Sequence, residues 1–172
     1  SLYYDDRGLL VACLGGGIPN ATASTMALGL DERFDLSSAY WLIAGIAGGD
    51  PQDLSLGSAA WANAVVDGDL VYEIDAREIP EDWPYGFIPL VASEPADGPQ
   101  DVSTGWTLDT ISFALDSGLS EWAYELTRNT PLMDTEAMQA FRGEFTNYPL
   151  AQRPPFVTRG DTLSASTYWH GE

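Results

Sequence analysis

The apolar positions of this chain fall into short runs separated by glycine, proline and aspartate, and the most informative run is Tyr40-Trp-Leu-Ile-Ala-Gly-Ile46. It is apolar throughout, has the length of a strand, and is closed by Ala47-Gly-Gly-Asp-Pro51. That pattern predicts a strand buried on both faces. Glycines at the end of such a strand let the backbone approach a ligand or a neighbouring strand closely. In open α/β sheets, ligands sit at the carboxyl ends of central strands. A tight turn with no ligand accounts for the same residues equally well.

The pattern elsewhere predicts a short buried strand over Gly8–Leu14, a loop over Gly15–Asn20, and a small-residue helix over Ala21–Leu30 capped by Asn20. With the strand at Tyr40 these form a βαβ unit and so a parallel pair. Strand, Gly-rich loop and helix is also the layout of a phosphate or ribose cradle. The spacing matches neither of the common glycine-rich phosphate-binding motifs, so a turn before a close-packed helix is the simpler account. A strand is expected from Leu56 to Val66, a turn at Asp67-Gly-Asp69, and another strand over Leu70–Ile74. Asp75-Ala-Arg-Glu78 follows, with Asp75 placed either to face a site or to form a surface ion pair. Pro80–Gln100 reads as a long loop of the kind that serves as a lid. Leu108, Ile111, Leu115, Leu119, Trp122 and Leu126 recur at helical spacing and predict an amphipathic helix over Leu108–Leu126 whose apolar face is core. A second helix is expected over Asp134–Phe145, capped by Asp134 or Thr135. Tyr148–Arg153 reads as a connection, and Phe156–Thr158 as a short strand. No internal repeat divides the chain, and residues 1–172 are expected to form a single domain.

Charge narrows the functional classes. There are 26 acidic residues against 7 basic ones, for a net charge of −19, and all the basic residues are arginine. Such a chain repels phosphate backbones and anionic lipid, so nucleic-acid and membrane-surface roles are disfavoured. A polyanionic substrate is disfavoured too, unless a local arginine overrules the field. Cys13 is the only cysteine, in an apolar run, and is expected to be a small buried side chain; no intrachain disulfide or cysteine-based zinc site is possible. His170 is the only histidine, so a histidine-dependent nucleophile would have to use it. No apolar run approaches the length of a membrane span, and neither a metal nor a cofactor is expected.

Phe34-Asp-Leu-Ser37, Ile43-Ala-Gly-Ile-Ala-Gly-Gly49, Leu56-Gly-Ser58, Tyr72-Glu-Ile-Asp-Ala-Arg-Glu78 and Gly160-Asp-Thr162 with Tyr168-Trp169 occur in that order. In this ordered run the chain resembles the purine nucleoside permease family, which is itself similar to the nucleoside phosphorylase and hydrolase superfamily. The resemblance implies an α/β, three-layer phosphorylase/hydrolase-like fold with a mixed central sheet flanked by helices. It implies that the superfamily's first strand and its C-terminal segment lie outside these residues, so that the fold is incomplete at both ends. Ile46, Ala47 and Gly48 would line the pocket under sugar and base. Ile18 would belong to the small loop over the ribose. Tyr168 would stack on the purine, with Trp169 beside it. The implied partner is a small-molecule purine nucleoside. A homo-oligomer follows by superfamily analogy alone. A periplasmic or secreted location follows from an uptake role.

Departures from the superfamily shape the functional expectation. Its phosphorylases hold phosphate with an arginine on the glycine-turn strand and a serine in the turn; here those places are Ile43 and Ile46. Apolar side chains do not hold a dianion, so phosphorolysis is disfavoured. The superfamily's ribose-binding Glu and general-acid Asp come after the aromatic segment, beyond Glu172, so no catalytic residue is assigned. Asp75, Asp161, His170 and Glu172 are the substitutes within the chain. The leading expectation is therefore a soluble purine-nucleoside-binding protein of nucleoside uptake. The alternatives are a nucleosidase that cleaves the N-glycosidic bond with water, and a fold retained only for interaction.

Overall fold

The computed structural model describes residues 1–96 and 111–165. It contains two compact units, Ser1–Ile46 and Ala47–Glu172.

In the first unit β1 (Leu2–Tyr4) and β2 (Leu10–Ala12) form an antiparallel hairpin with Tyr3 opposite Val11. Its turn is organised by Asp5, whose carboxylate accepts from the backbone N–H groups of Arg7 and Leu9. Helix α1 (Ile18–Gly29) follows. The expected cap, Asn20, is instead inside the helix. Gly17 takes the cap position with φ 83°, Pro19 occupies the first turn, and the Asn20 amide donates back to the Gly16 carbonyl at 2.7 Å. Proline is at ease there because its missing N–H has no helical partner to lose. Ser24 donates to the Leu14 carbonyl and ties α1 to the end of the preceding loop.

The expected strand over Tyr40–Ile46 does not form, and with it the βαβ unit is absent. Residues 39–50 are neither helix nor strand, and Tyr40, Ile43 and Ile46 are 86%, 85% and 106% exposed. A strand exists only where a neighbour completes its ladder, and no strand among the described residues pairs with this segment. Cys13, expected in the interior, is exposed.

The second unit is built on short ladders. β3 (Ala59–Trp61) pairs in parallel with β8 (Val157–Arg159). β4 (Ala64–Asp67) is central in a mixed sheet, antiparallel to β7 (Ser112–Ala114) and parallel to β9 (Thr162–Ser164). β5 (Val71–Glu73), within the strand expected over Leu70–Ile74, pairs antiparallel with β6 (Phe87–Pro89), which lies inside what reads as an uninterrupted loop from Pro80. Helix α2 (Ser117–Thr127) packs on β3 and β8. Helix α3 (Glu136–Arg142) is capped by Thr135, whose hydroxyl accepts from the Met138 N–H.

The long amphipathic helix is thus shorter than its periodicity predicts. Asp116 caps α2 by accepting from Leu119 N–H at 2.9 Å, and the residues just before it are taken by β7. The face it buries is the small one, Ser120 and Ala123, while Trp122 and Leu126 are 63% and 66% exposed. Ser120 donates to the Ala62 carbonyl at 3.0 Å, and the Trp61 indole donates to Thr127 at 2.8 Å. Close approach of α2 to β3 requires small side chains at that contact, and this overrides the leucine stripe. Leu108 lies outside the described residues.

Candidate functional site

The Leu56-Gly57-Ser58 motif closes the second unit rather than opening a site. Ser55 and Ser58 hydroxyls are 2.9 Å apart. Ser55 donates to the Pro154 carbonyl, and Ser58 accepts from the Phe156 N–H. Gly57 has φ 88°, and a Cβ there would run into Met138 and Pro155. Only glycine accepts both constraints without cost. These contacts hold the strand from Ala59 beside the strand from Val157, with Arg142 of α3 reaching the Leu56 carbonyl.

The glycine turn leads into one tight turn of chain. The Asp50 carbonyl accepts from the N–H groups of Asp53 and Leu54, and its carboxylate accepts from Gln52 N–H at 2.7 Å. Leu54 folds back so far that a Cβ on Gly49 would lie 2.7 Å from its Cδ1, whereas Gly45 and Gly48 face open space. Pro51 and Gln52, on this turn, form one wall of an open groove of about 720 Å³. The other wall is Asn147, Tyr148, Pro149, Leu150 and Arg153. That wall is stitched by successive turns: Phe145 N–H to the Arg142 carbonyl, Tyr148 N–H to Phe145, and Arg153 N–H to Leu150. Buried Ala151 anchors it, and the Gln152 amide donates to the Phe145 carbonyl at 2.8 Å. The groove is open to solvent and combines an aromatic ring, two prolines and a leucine with two amides and a guanidinium.

The residues expected at a site are distributed as follows. Ile18 opens α1 and is 54% exposed; Ile46 is fully exposed; both belong to the first unit. Ala47 and Gly48 are exposed and begin the second unit. Tyr168, Trp169, His170 and Glu172 lie outside the described residues. Asp75 is held by Arg77, which donates from its backbone N–H at 2.9 Å, from Nε at 2.8 Å and from a terminal nitrogen at 2.6 Å. The side-chain hydrogen bond from Arg77 is the main reason its pKa falls to about 2. At neutral pH it is an ionised acceptor and has no proton to give. Asp161 accepts from the N–H groups of Asn63 and Ala64, both at 2.9 Å, and so braces the start of β4. Among the described residues no three His, Cys, Asp or Glu side chains converge as a metal site would need. The wall at 147–153 was legible in sequence only as a connection. Its one local sign is an aromatic between amide and proline, Asn147-Tyr-Pro149, which apolar periodicity does not weigh.

Comparison with known proteins bears on these observations. The family described as purine nucleoside permease matches residues 1–172. A probable purine nucleoside permease of Schizosaccharomyces pombe is 34% identical over 91% of this chain and 46% of its own length. The purine nucleoside permease of Candida albicans is 32% identical over 91% of this chain and 38% of its own length. The chain thus spans less than half the length of these relatives. No solved structure matches it. Among the described residues no helix is long and apolar enough to cross a membrane. With a match that runs from the first residue to the last, the chain belongs to the purine nucleoside permease family.

Proposed function

We propose that this chain binds purine nucleosides and serves in their transport, and that it does so as part of a three-layer phosphorylase/hydrolase-like α/β domain. The observation that carries the proposal is the whole-chain family match, together with relatives named purine nucleoside permeases. The groove supports this reading. Pro51 and Gln52 follow the glycine turn directly in sequence, and Tyr148 and Pro149, from the other wall, offer apolar surface to a base. Gln52 and Asn147 offer donors and acceptors to base edges or ribose hydroxyls. An uncharged nucleoside also suits a chain of net charge −19, which opposes phosphorylated ligands. Stacking by Tyr168 belongs to the same proposal and rests on the resemblance.

Calorimetric titration of the chain with inosine, guanosine and adenosine tests it, with chromatography of the mixture for free base. Saturable binding with the nucleoside recovered intact is the expected result. Release of base in phosphate-free buffer would establish a nucleosidase instead, and no saturable heat with any of the three would defeat nucleoside binding.

A further inference from the structure

We infer that Arg153 makes the groove selective for 6-oxopurines over 6-aminopurines, an inference that rests on the nucleoside-binding reading above. In so acidic a chain, carboxylates capture the arginines: Arg7, Arg33, Arg77, Arg128, Arg142 and Arg159 each form an ion pair. Arg153 has no carboxylate partner among the described residues, and it lines the groove. Its backbone is fixed by the hydrogen bond to Leu150, and its guanidinium lies over the Phe156 ring, 5.1 Å from the centroid. A cation–π contact of this kind is made to the face of the ring and uses up none of the guanidinium's N–H donors in a carboxylate pair. A guanidinium donates and never accepts. Inosine and guanosine present two acceptors, O6 and N7, side by side at the spacing of that fork. Adenosine places an amino donor where O6 would be, so one arm of the fork faces a donor and gains nothing. The pairing asks for no net charge on the ligand, so it does not oppose the field of the chain.

The experiment is a titration of the 172-residue chain with inosine, guanosine and adenosine, repeated with Arg153→Gln. Arg153 is exposed, and circular dichroism checks that the variant folds. The expected result is that the 6-oxopurine nucleosides bind about tenfold more tightly than adenosine, the low end of bidentate discrimination for a groove open to water. Arg153→Gln should narrow or reverse the preference, because an amide matches the adenine edge. Equal affinities in the unsubstituted chain, or an unchanged preference in Arg153→Gln, would overturn the inference and leave nucleoside binding standing. Failure of all three nucleosides to bind would overturn both.

Discussion

Arg142, the last residue of α3, folds its guanidinium back onto the carboxylate of Asp134, just ahead of that helix, with two N···O separations of 2.8 Å. Arg142 is only 3% exposed, and it also reaches the Leu56 carbonyl at 3.5 Å. One side chain thus ties both ends of α3 to the Leu56-Gly57-Ser58 segment. Among the described residues its Nε and the Asp134 Oδ1 have no hydrogen-bond partner, so the Nη1–Oδ1 contact is an ion pair and only Nη2 donates to the carboxylate, at Oδ2. Arg142→Ala should lower the stability of the second unit by about 2–3 kcal/mol, because it strands a carboxylate and a carbonyl and removes buried methylenes. Urea denaturation followed by tryptophan fluorescence measures it. A loss no larger than that of Arg128→Ala, at an exposed pair on α2, would contradict the assignment.

Glycine substitutions should separate backbone-constrained positions from free ones. Gly57→Ala puts a Cβ into Met138 and Pro155 at φ 88°, and should cost about 1–2 kcal/mol from the left-handed backbone alone. Gly45→Ala meets open space and should change stability by less than about 0.5 kcal/mol. Thermal unfolding of the two variants side by side reads the difference. Equal shifts would show that Gly57 is not under strain.

Acid should weaken the fold in a defined direction. Asp31 and Asp75 titrate at about 2, in each case chiefly through a side-chain hydrogen bond from the arginine two residues on. Asp134 is lowered mainly by its hydrogen bond from Arg142. A carboxylate depressed in the folded state contributes stability that is fully present above its unfolded pKa of about 3.9, and that is lost as pH falls through the folded value. Urea midpoints should therefore be flat above about pH 5 and fall from about pH 4 toward 2. The Asp31 and Asp75 pairs are exposed, so their share is small and salt-sensitive. Asp134→Asn should remove part of the decline, whereas a midpoint that rises on acidification would reverse the sign.

Amide hydrogen exchange should map the unpaired apolar segment. Among the described residues, Tyr40–Gly49 make no backbone hydrogen bond as donors, while Val65 and Val66 lie between two neighbouring strands. The amides of 40–49 should exchange close to the unstructured rate and those of β4 much more slowly. Comparable protection in both would mean that the apolar segment is paired in solution.

Several local elements were fixed by the sequence alone. The Asp116 and Thr135 side chains each accept from an N–H three residues on, but the apolar periodicity ran the expected helix through Asp116, and only the second of these caps was read from residue type and position. Of these, Thr135 is one of the two caps expected for the second helix. Pro154-Pro155 ends a connection, and a strand follows almost at once, at Val157. The family was legible too, because it is carried by an ordered run of residues and needs no coordinates. What chain order could not supply was partnership across distance. The run at Tyr40 has the composition of a buried strand, yet composition contains no neighbour, and a strand is a relation between two segments. The stripe on α2 likewise promised a leucine core, but the contact with β3 selected Ser120 and Ala123 because backbones approach only across small side chains. The groove joins Pro51 to Arg153, far apart in the chain, and that Arg153 lacks a carboxylate partner among the described residues is visible only once the partners of the other arginines are known. Local hydrogen-bonding chemistry and family identity were written in the order of residues; burial, pairing and the groove were decided by long-range packing, whose energy depends on which surfaces meet.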